Sequence, residues 1–312
     1  MRLLGPAISL AVFSVALFVL SRELSELSLA SLWTEMRAIP ASRIALAMLS
    51  TVMSYSVLTG CDAAALKYLG KRLPFRVYGR TSFMAYAIGH NVGLGALTGG
   101  SVRYRMYSEN GLSVTEVARL AVFVSVTFAI GAAGILGVAL IAMPADTRAL
   151  LGVPLPLLTG IGIFLVAVPI AYVAAAMVWR RPIGFRGWRF VLPTRRLAVR
   201  QVVLCTADLL FASGTLYVLL APNAGIGYIS FLGIYLLALA AGLISTVPGG
   251  IGVFEAILIA ALPMIPDHQL LSVIIVYRVI YYLVPLCLAL ALLVGYELRQ
   301  RHEDGPPTDT PG

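Results

Sequence analysis

Residues 89–107 read GHNVGLGALTGGSVRYRMY, and this stretch decides how the chain is organised. It places a histidine, an asparagine, repeated glycines and two arginines inside otherwise apolar sequence. A bilayer-spanning helix is expected to be apolar throughout, and a soluble loop is not flanked by so much apolar sequence. Irregular backbone at membrane depth survives only where protein or a water-filled cavity surrounds it. The stretch therefore predicts a segment that enters a bilayer without crossing it.

The composition of the 312-residue chain indicates an integral membrane protein. Hydrophobic residues make up 60% of the chain and charged residues 12%, whereas charged residues average about 25% in soluble domains. We expect an all-α membrane domain over residues 1–300, with about eight spanning helices plus one or two re-entrant or broken segments, and a disordered cytoplasmic tail over residues 301–312. The apolar segments fall at about 3–20, 44–66, 81–98, 114–143, 155–179, 201–220, 228–247, 251–265 and 268–297.

Charge and motifs exclude several classes of protein. The net charge of +9 is typical of the excess of basic residues in cytoplasmic loops, so we expect no nucleic-acid partner. Cys61, Cys205 and Cys287 lie far apart in apolar segments, which is typical of buried small side chains. The sequence lacks a P-loop, a Rossmann fingerprint and the HExxH and GxSxG motifs. We therefore predict no catalytic residue, no cofactor and no metal site.

Basic residues in the connections predict the topology. Segments 67–80 and 180–200 are rich in Lys and Arg and contain no acid, which assigns both to the cytoplasm. Three complete crossings between them would place them on opposite sides of the membrane. The simplest solution makes 81–98 re-entrant from the cytoplasm, and it leaves both termini cytoplasmic.

A second break is predicted in residues 245–255, which read STVPGGIGVFE. Proline removes a backbone donor and glycine loosens a helix, so Pro248, Gly249 and Gly250 are expected to interrupt the helix, as Gly99 and Gly100 are expected to do in the first stretch. Residues 228–265 are then either two crossings or a hairpin that re-enters from outside. With the hairpin, broken segments at about 81–100 and 245–265 enter from opposite faces, the pattern of an inverted-repeat transporter with a site near the midplane.

Ionisable residues inside apolar segments mark a polar interior. Each costs several kcal/mol unless it is paired or faces water, and Arg278 is expected to pair with Glu255 or Asp208. Two interpretations remain open, a structural ion pair and a site for a lipid headgroup. The candidate headgroup-binding residues are Arg103, Arg105 and Arg278 for a phosphate, and His90, Asn91, Asp208 and Glu255 for a cationic or hydroxylated head.

At the two motifs the chain resembles a known family. Residues 89–113, GHNVGLGALTGGSVRYRMYSENGLS, and residues 245–256, STVPGGIGVFEA, resemble the membrane region of the bacterial lysylphosphatidylglycerol synthetase/flippase proteins (multiple peptide resistance factors) and their stand-alone membrane relatives. The resemblance implies a multi-pass inner-membrane protein that moves aminoacylated phosphatidylglycerol, or a related anionic-lipid derivative, to the outer leaflet. Such movement supports resistance to cationic antimicrobial peptides.

The resemblance leaves three functions to distinguish. The leading expectation is a lipid translocase. The alternative is the membrane part of a phosphatidylglycerol lysyltransferase, whose soluble acyltransferase-like domain transfers lysine from lysyl-tRNA and is absent from this chain. A scaffold that orders a partner enzyme is the third. Expected partners are anionic phospholipids or aminoacyl-phosphatidylglycerol and a lipid-modifying acyltransferase, and an oligomer is compatible with the sequence.

Overall fold

The computed structural model describes residues 39–92, 95–149, 152–179, 183–185, 188–220, 225–245 and 248–303. Within these residues, six helices are long and apolar enough to cross a bilayer. The prediction of a helical multi-pass membrane protein is therefore confirmed. The predicted first helix at residues 3–20 lies outside the described residues.

The elements follow in chain order as helices with one short pair of strands. They are α1 Ala41–Tyr68, α2 Phe75–Val92, α3 Gly95–Ser108, α4 Val114–Ala142, α5 Ala145–Ala149, α6 Leu155–Val178, β1 Ile183–Phe185, β2 Trp188–Phe190, α7 Arg195–Leu220, α8 Tyr228–Ser245, a 3₁₀ turn Pro248–Gly250, α9 Val253–Ala261, α10 Asp267–Arg278, a π turn Val279–Leu283 and α11 Val284–Glu303. The antiparallel strands modify the all-α prediction in one connection. Because α11 extends to Glu303, residues 301–303 are helical where a disordered tail was predicted, and residues 304–312 lie outside the described residues.

Helices α2 and α3 pack together as a first hairpin, and neither is one of the six candidate spans. Helix α2 ends at Val92 and α3 begins at Gly95, so the prediction that Gly99 and Gly100 break the helix is wrong. Both glycines are helical within α3. A Cβ at Gly99 would lie 2.8 Å from the carbonyl oxygen of Ala85. Glycine at this position therefore permits the close approach of two helices.

Helices α8 and α9 form a second hairpin around the predicted Pro248–Gly250 break. Gly249, Gly250 and Gly252 have φ angles of 61°, 64° and 82°, a left-handed backbone that favours glycine. The Glu255 carboxylate accepts a hydrogen bond of 2.7 Å from the Gly252 N–H and so caps α9. At about 1.5 Å per residue, the 9-residue α9 rises about 14 Å, roughly half of a hydrocarbon core of about 30 Å.

Both hairpins end against the last long helix, which consists of α10, the π turn and α11, and they contact it near the π turn. Asn91 Nδ2, at the end of α2, donates to the Tyr282 carbonyl oxygen over 3.3 Å. Arg278 Nη1 donates to the Gly249 carbonyl oxygen, also over 3.3 Å. Helix α2 also packs against the 3₁₀ turn of the second hairpin. The end of α2 and the 3₁₀ turn therefore both contact the segment from Arg278 to Tyr282.

Candidate functional site

A cavity of about 290 Å³ lies between the two hairpins and helices α1, α4 and α7. Its volume is close to the lower end of the range of about 300–1,000 Å³ for small-molecule sites. Four glycines bring backbone to its wall, namely Gly89, Gly242, Gly249 and Gly250. Its polar and titratable lining residues are Cys61, Tyr86, His90, Arg103, Ser125, Cys205, Asp208, Tyr235, Tyr281 and Tyr282.

Arg103 on α3 lines the cavity, and its charge is balanced by Asp62, which is not a lining residue. Its Nε and Nη2 donate to the two carboxylate oxygens of Asp62 over 2.9 and 2.8 Å, the two-pronged geometry that suits a guanidinium and a carboxylate. Its Cζ lies 4.6 Å from the ring centroid of Tyr86. The Tyr107 hydroxyl donates to Asp62 over 3.0 Å. These contacts hold the Arg103 side chain, whose Nη1 has no hydrogen-bond partner among the described residues.

Asp208 on α7 is the carboxylate that lines the cavity. Its side chain is buried, and it accepts a hydrogen bond of 2.5 Å from Ser54 Oγ on α1. Ser54 Oγ in turn lies 2.8 Å from the Tyr281 hydroxyl of the π turn. Within the described part of the chain, no Lys, Arg or His comes within salt-bridge distance of Asp208.

His90 sits at the end of α2 among tyrosine rings. Its ring centroid lies 6.2 Å from that of Tyr55, 5.8 Å from Tyr86, 6.3 Å from Tyr281 and 6.5 Å from Tyr282. Its Nδ1 is buried and has no hydrogen-bond partner among the described residues. The imidazole therefore faces the cavity with unused hydrogen-bonding capacity.

Arg278, Glu255 and Asn91 hold the cavity's edge and are not among its lining residues. Arg278 Nε and Nη2 contact Glu255 Oε1 at 2.7 and 2.6 Å. Of the two partners predicted for Arg278, the structure therefore selects Glu255. Asn91 is buried and bridges the Ala87 and Tyr282 carbonyl oxygens.

Arg105 lies apart from the other predicted site residues. Its Nε and Nη2 donate to Glu297 over 3.2 and 3.4 Å, and it also contacts Glu109. Its guanidinium lies 5.8 Å from the Tyr296 ring centroid. This cluster joins the C-terminal ends of α3 and α11 and does not line the cavity.

Among the described residues, Asp62 and Glu255 balance the charges of Arg103 and Arg278. Asp208 adds one carboxylate beyond these pairs. Sequence reasoning missed the roles of Ser54 and Tyr281, although a serine within an apolar helix is a signal for a buried hydrogen bond. No group of three or more potential metal ligands occurs in the described ranges.

Two lining residues of the cavity, one on α4 and one on α8, are exposed at the surface of the described structure. These helices touch near Gly233, where a Cβ would lie 2.6 Å from the methyl carbon of Met143. Farther along, the cavity is lined by Ser125 of α4, which is exposed, and by Leu243 of α8, which is 60% exposed. We call this part of the cavity wall, bounded by Ser125 and Leu243, the lateral opening.

Comparison with known proteins gives matches along the whole membrane region. A family model described as the lysylphosphatidylglycerol synthase transmembrane region matches residues 4–289. Uncharacterized protein slr0712 of Synechocystis is 32% identical over 299 residues, which cover 96% of this chain and 93% of that protein. Inner membrane protein YbhN of Escherichia coli is 32% identical over 248 residues, 77% of this chain and 75% of that protein. Phosphatidylglycerol lysyltransferase of Staphylococcus epidermidis is 32% identical over 93 residues, 29% of this chain and 11% of that protein.

Proposed function

The chain belongs to the family of the lysylphosphatidylglycerol synthase transmembrane region, and on that premise we propose that it is a lipid translocase. Its substrate is aminoacylated phosphatidylglycerol, or a related anionic-lipid derivative, moved across the bacterial inner membrane in support of resistance to cationic antimicrobial peptides. The observation that carries the proposal is a largely apolar cavity that Arg103, Asp208 and His90 line, with two exposed residues of α4 and α8 in its wall. An opening between these two residues lets a headgroup enter while its acyl chains remain in lipid.

In this proposal both hairpins are re-entrant, although α8 by itself is long and apolar enough to cross a bilayer. Arg278 is the last residue of the 12-residue α10, which puts it about 17 Å from the start of that helix and near the bilayer midplane. The Gly249 turn reaches the same depth because its carbonyl oxygen bonds Arg278. The order helix, hairpin, helix occurs in α1–α4 and again in α7–α11 with opposite orientation. This order supports an inverted repeat with the site at its centre.

The headgroup is recognised by opposite charges on the cavity wall. Arg103 presents Nη1 to the phosphate, because its Nε and Nη2 are engaged by Asp62. Asp208 and the tyrosine rings receive an ammonium group, through a charge-assisted contact and through cation–π attraction. His90 accepts or donates a hydrogen bond to the same head. The two hairpins that shape the site are held by Arg278, Glu255 and Asn91. Arg105, which does not line the cavity, is proposed to bind headgroups at the surface of the membrane.

The orientation follows the distribution of basic residues. The connections around Lys71 and Arg195 face the cytoplasm, as does the end of α11. A location in the inner membrane is supported by the name of one relative, inner membrane protein YbhN. The name of the Staphylococcus relative indicates a lysyltransferase, but the match covers only 11% of that protein. We therefore propose a lipid-modifying acyltransferase as a partner of this chain and not as an activity of it.

The test is lipid movement by the purified protein in phosphatidylglycerol–phosphatidylcholine vesicles. Lysylphosphatidylglycerol is placed in the inner leaflet, and its amines are detected outside with a membrane-impermeant reagent. We expect fast exposure with the wild type and severalfold slower exposure with Arg103→Lys, which keeps a charge beside Asp62 but loses Nη1. Arg76→Lys, at an exposed position, is the matched control. Wild-type vesicles that expose lipid no faster than empty vesicles would refute the proposal.

A further inference from the structure

The carboxylate of Asp208 differs from those of Asp62 and Glu255, the other two acids that the described structure places beside the cavity. Asp62 and Glu255 each have an arginine partner, whereas no basic side chain of the described residues pairs with Asp208. A carboxylate at membrane depth without a countercharge is costly in its ionised form. In the absence of a bound cation, a proton is the simplest species that removes this cost.

Ser54 and Tyr281 form a hydrogen-bonded chain that ends on Asp208. A serine hydroxyl has one proton to donate, and Ser54 Oγ directs it to Asp208 Oδ1 over 2.5 Å. The Tyr281 hydroxyl, 2.8 Å away, must then donate to Ser54. When Asp208 holds a proton, the same chain can reverse, with Asp208 donating to Ser54 and Ser54 to Tyr281. The two hydrogen bonds that join Asp208, Ser54 and Tyr281 are therefore present in both protonation states.

The surroundings of Asp208 leave the cavity as its route to exchangeable protons. Asp208 and Tyr281 both line the cavity, and so does His90, whose buried Nδ1 has no partner among the described residues. On the cavity side, α4 presents Ser125 and apolar side chains. The titratable and charged groups around Asp208 are Tyr55, Cys61 and Asp62 on α1, Tyr86 and His90 on α2, Arg103 on α3, Cys205 on α7, Tyr235 on α8, and Tyr277, Tyr281 and Tyr282 on α10 and the π turn.

We infer that Asp208 binds either a proton or the ammonium group of the lipid head, and that the protein therefore exchanges protons for cationic lipid. This inference rests on the proposed translocase function and adds to it the ion that drives it. When the ammonium group binds, Asp208 releases its proton to the side from which the lipid came. When the lipid leaves on the opposite side, Asp208 takes a proton from that side. One proton thus moves inward for each head that moves outward, and charge and proton number balance at Asp208.

The experiment imposes a pH gradient on the lysylphosphatidylglycerol vesicles, with the membrane potential clamped by potassium and valinomycin. The vesicles contain a pH-sensitive dye, so lipid exit and proton entry are measured in the same sample. An acidic exterior is expected to accelerate lipid exit. At equilibrium, one pH unit shifts the distribution of a lipid exchanged for one proton by about tenfold. Asp208→Asn, which keeps the side-chain size, is expected to abolish both the gradient response and the lipid-dependent proton entry.

Two further variants separate the relay from the binding residue. Ser54→Ala and Tyr281→Phe are expected to weaken the gradient response without abolishing it, because Asp208 itself lines the cavity. Glu116→Gln, a carboxylate at the exposed start of α4, is the control and keeps the full response. Lipid exit at the same rate with and without the gradient, with no proton entry, would overturn the exchange and leave the translocase intact. Absence of lipid exit in every wild-type condition would overturn both.

Discussion

Arg278 contacts Glu255 through Nε and Nη2, at 2.7 and 2.6 Å, and the pair ties the second hairpin to the last long helix. Glu255 also caps α9 through the Gly252 N–H, and Arg278 also bonds the Gly249 carbonyl oxygen. One ion pair thus anchors the left-handed glycine turn to α10. Its removal should loosen the second hairpin as a unit.

The first prediction concerns the stability of that ion pair. Glu255→Gln removes the charge that Arg278 contacts while keeping the capping geometry. Because the pair is partly buried, the loss should exceed that of an exposed pair, about 0–1 kcal/mol, and stay below that of a fully buried one, roughly 3–5 kcal/mol. Arg278→Gln should cost a similar amount, and the double variant should cost less than the sum. Equilibrium unfolding in mixed detergent micelles measures these differences. Glu116→Gln is the control, because its exposed contact with Lys71 is worth only about 0–1 kcal/mol. Equal losses at Glu255 and Glu116 would contradict the prediction.

The second prediction compares two adjacent glycines of the first hairpin. Gly99→Ala should destabilise the protein, because the new Cβ would lie 2.8 Å from the Ala85 carbonyl oxygen. Gly100→Ala meets nothing within 4 Å and should stabilise α3 by about 0.5–1 kcal/mol. The thermal unfolding midpoints in detergent should therefore move in opposite directions. A destabilised Gly100→Ala would indicate that flexibility, and not close packing, is required in this part of α3.

The two glycine motifs show which part of the fold could be predicted from sequence. Loop charge and segment hydropathy are read along the chain, so a helical membrane protein followed from them directly. The break at Pro248–Gly250 was also predictable. Gly249 and Gly250 have left-handed φ angles, which residues other than glycine rarely adopt. The reversal after Val92 was misplaced because Gly99 looks the same in sequence whether it breaks a helix or allows a neighbouring helix to approach.

The candidate site could be predicted only as a set of residues, without its pairings. His90, Arg103 and Asp208 were selected as polar residues in apolar sequence, and all three line the cavity. The pairing of Arg103 with Asp62 joins residues 41 positions apart on different helices. Such a pairing depends on helix packing, for which the sequence holds no local signal. The isolation of Asp208 from every described cation follows from the same packing.

The third prediction tests the topology with single cysteines on opposite faces. The background carries Cys61→Ala, Cys205→Ala and Cys287→Ala, to which Asn110→Cys or Met264→Cys is added. Both positions are exposed. An impermeant maleimide should label the variant at 264 in intact cells and the variant at 110 only after permeabilisation, because the hairpin of α2 and α3 returns to the cytoplasm. Labelling at 110 in intact cells would exclude a re-entrant first hairpin.

The fourth prediction concerns the lateral opening through which a headgroup would enter. Ser125 and Val126 are adjacent and exposed on α4, but only Ser125 lines the cavity. Ser125→Trp should obstruct the passage and slow lipid exposure severalfold in the vesicle assay. Val126→Trp places the same bulk one residue away, against lipid, and should leave the rate unchanged. Both substitutions lie at the surface, so unfolding free energies should change by no more than about 0.5 kcal/mol, and a slower rate for Ser125→Trp is then attributable to the passage. If the two variants move lipid equally fast, the headgroup does not pass between α4 and α8, and the entry route must be sought elsewhere around the cavity.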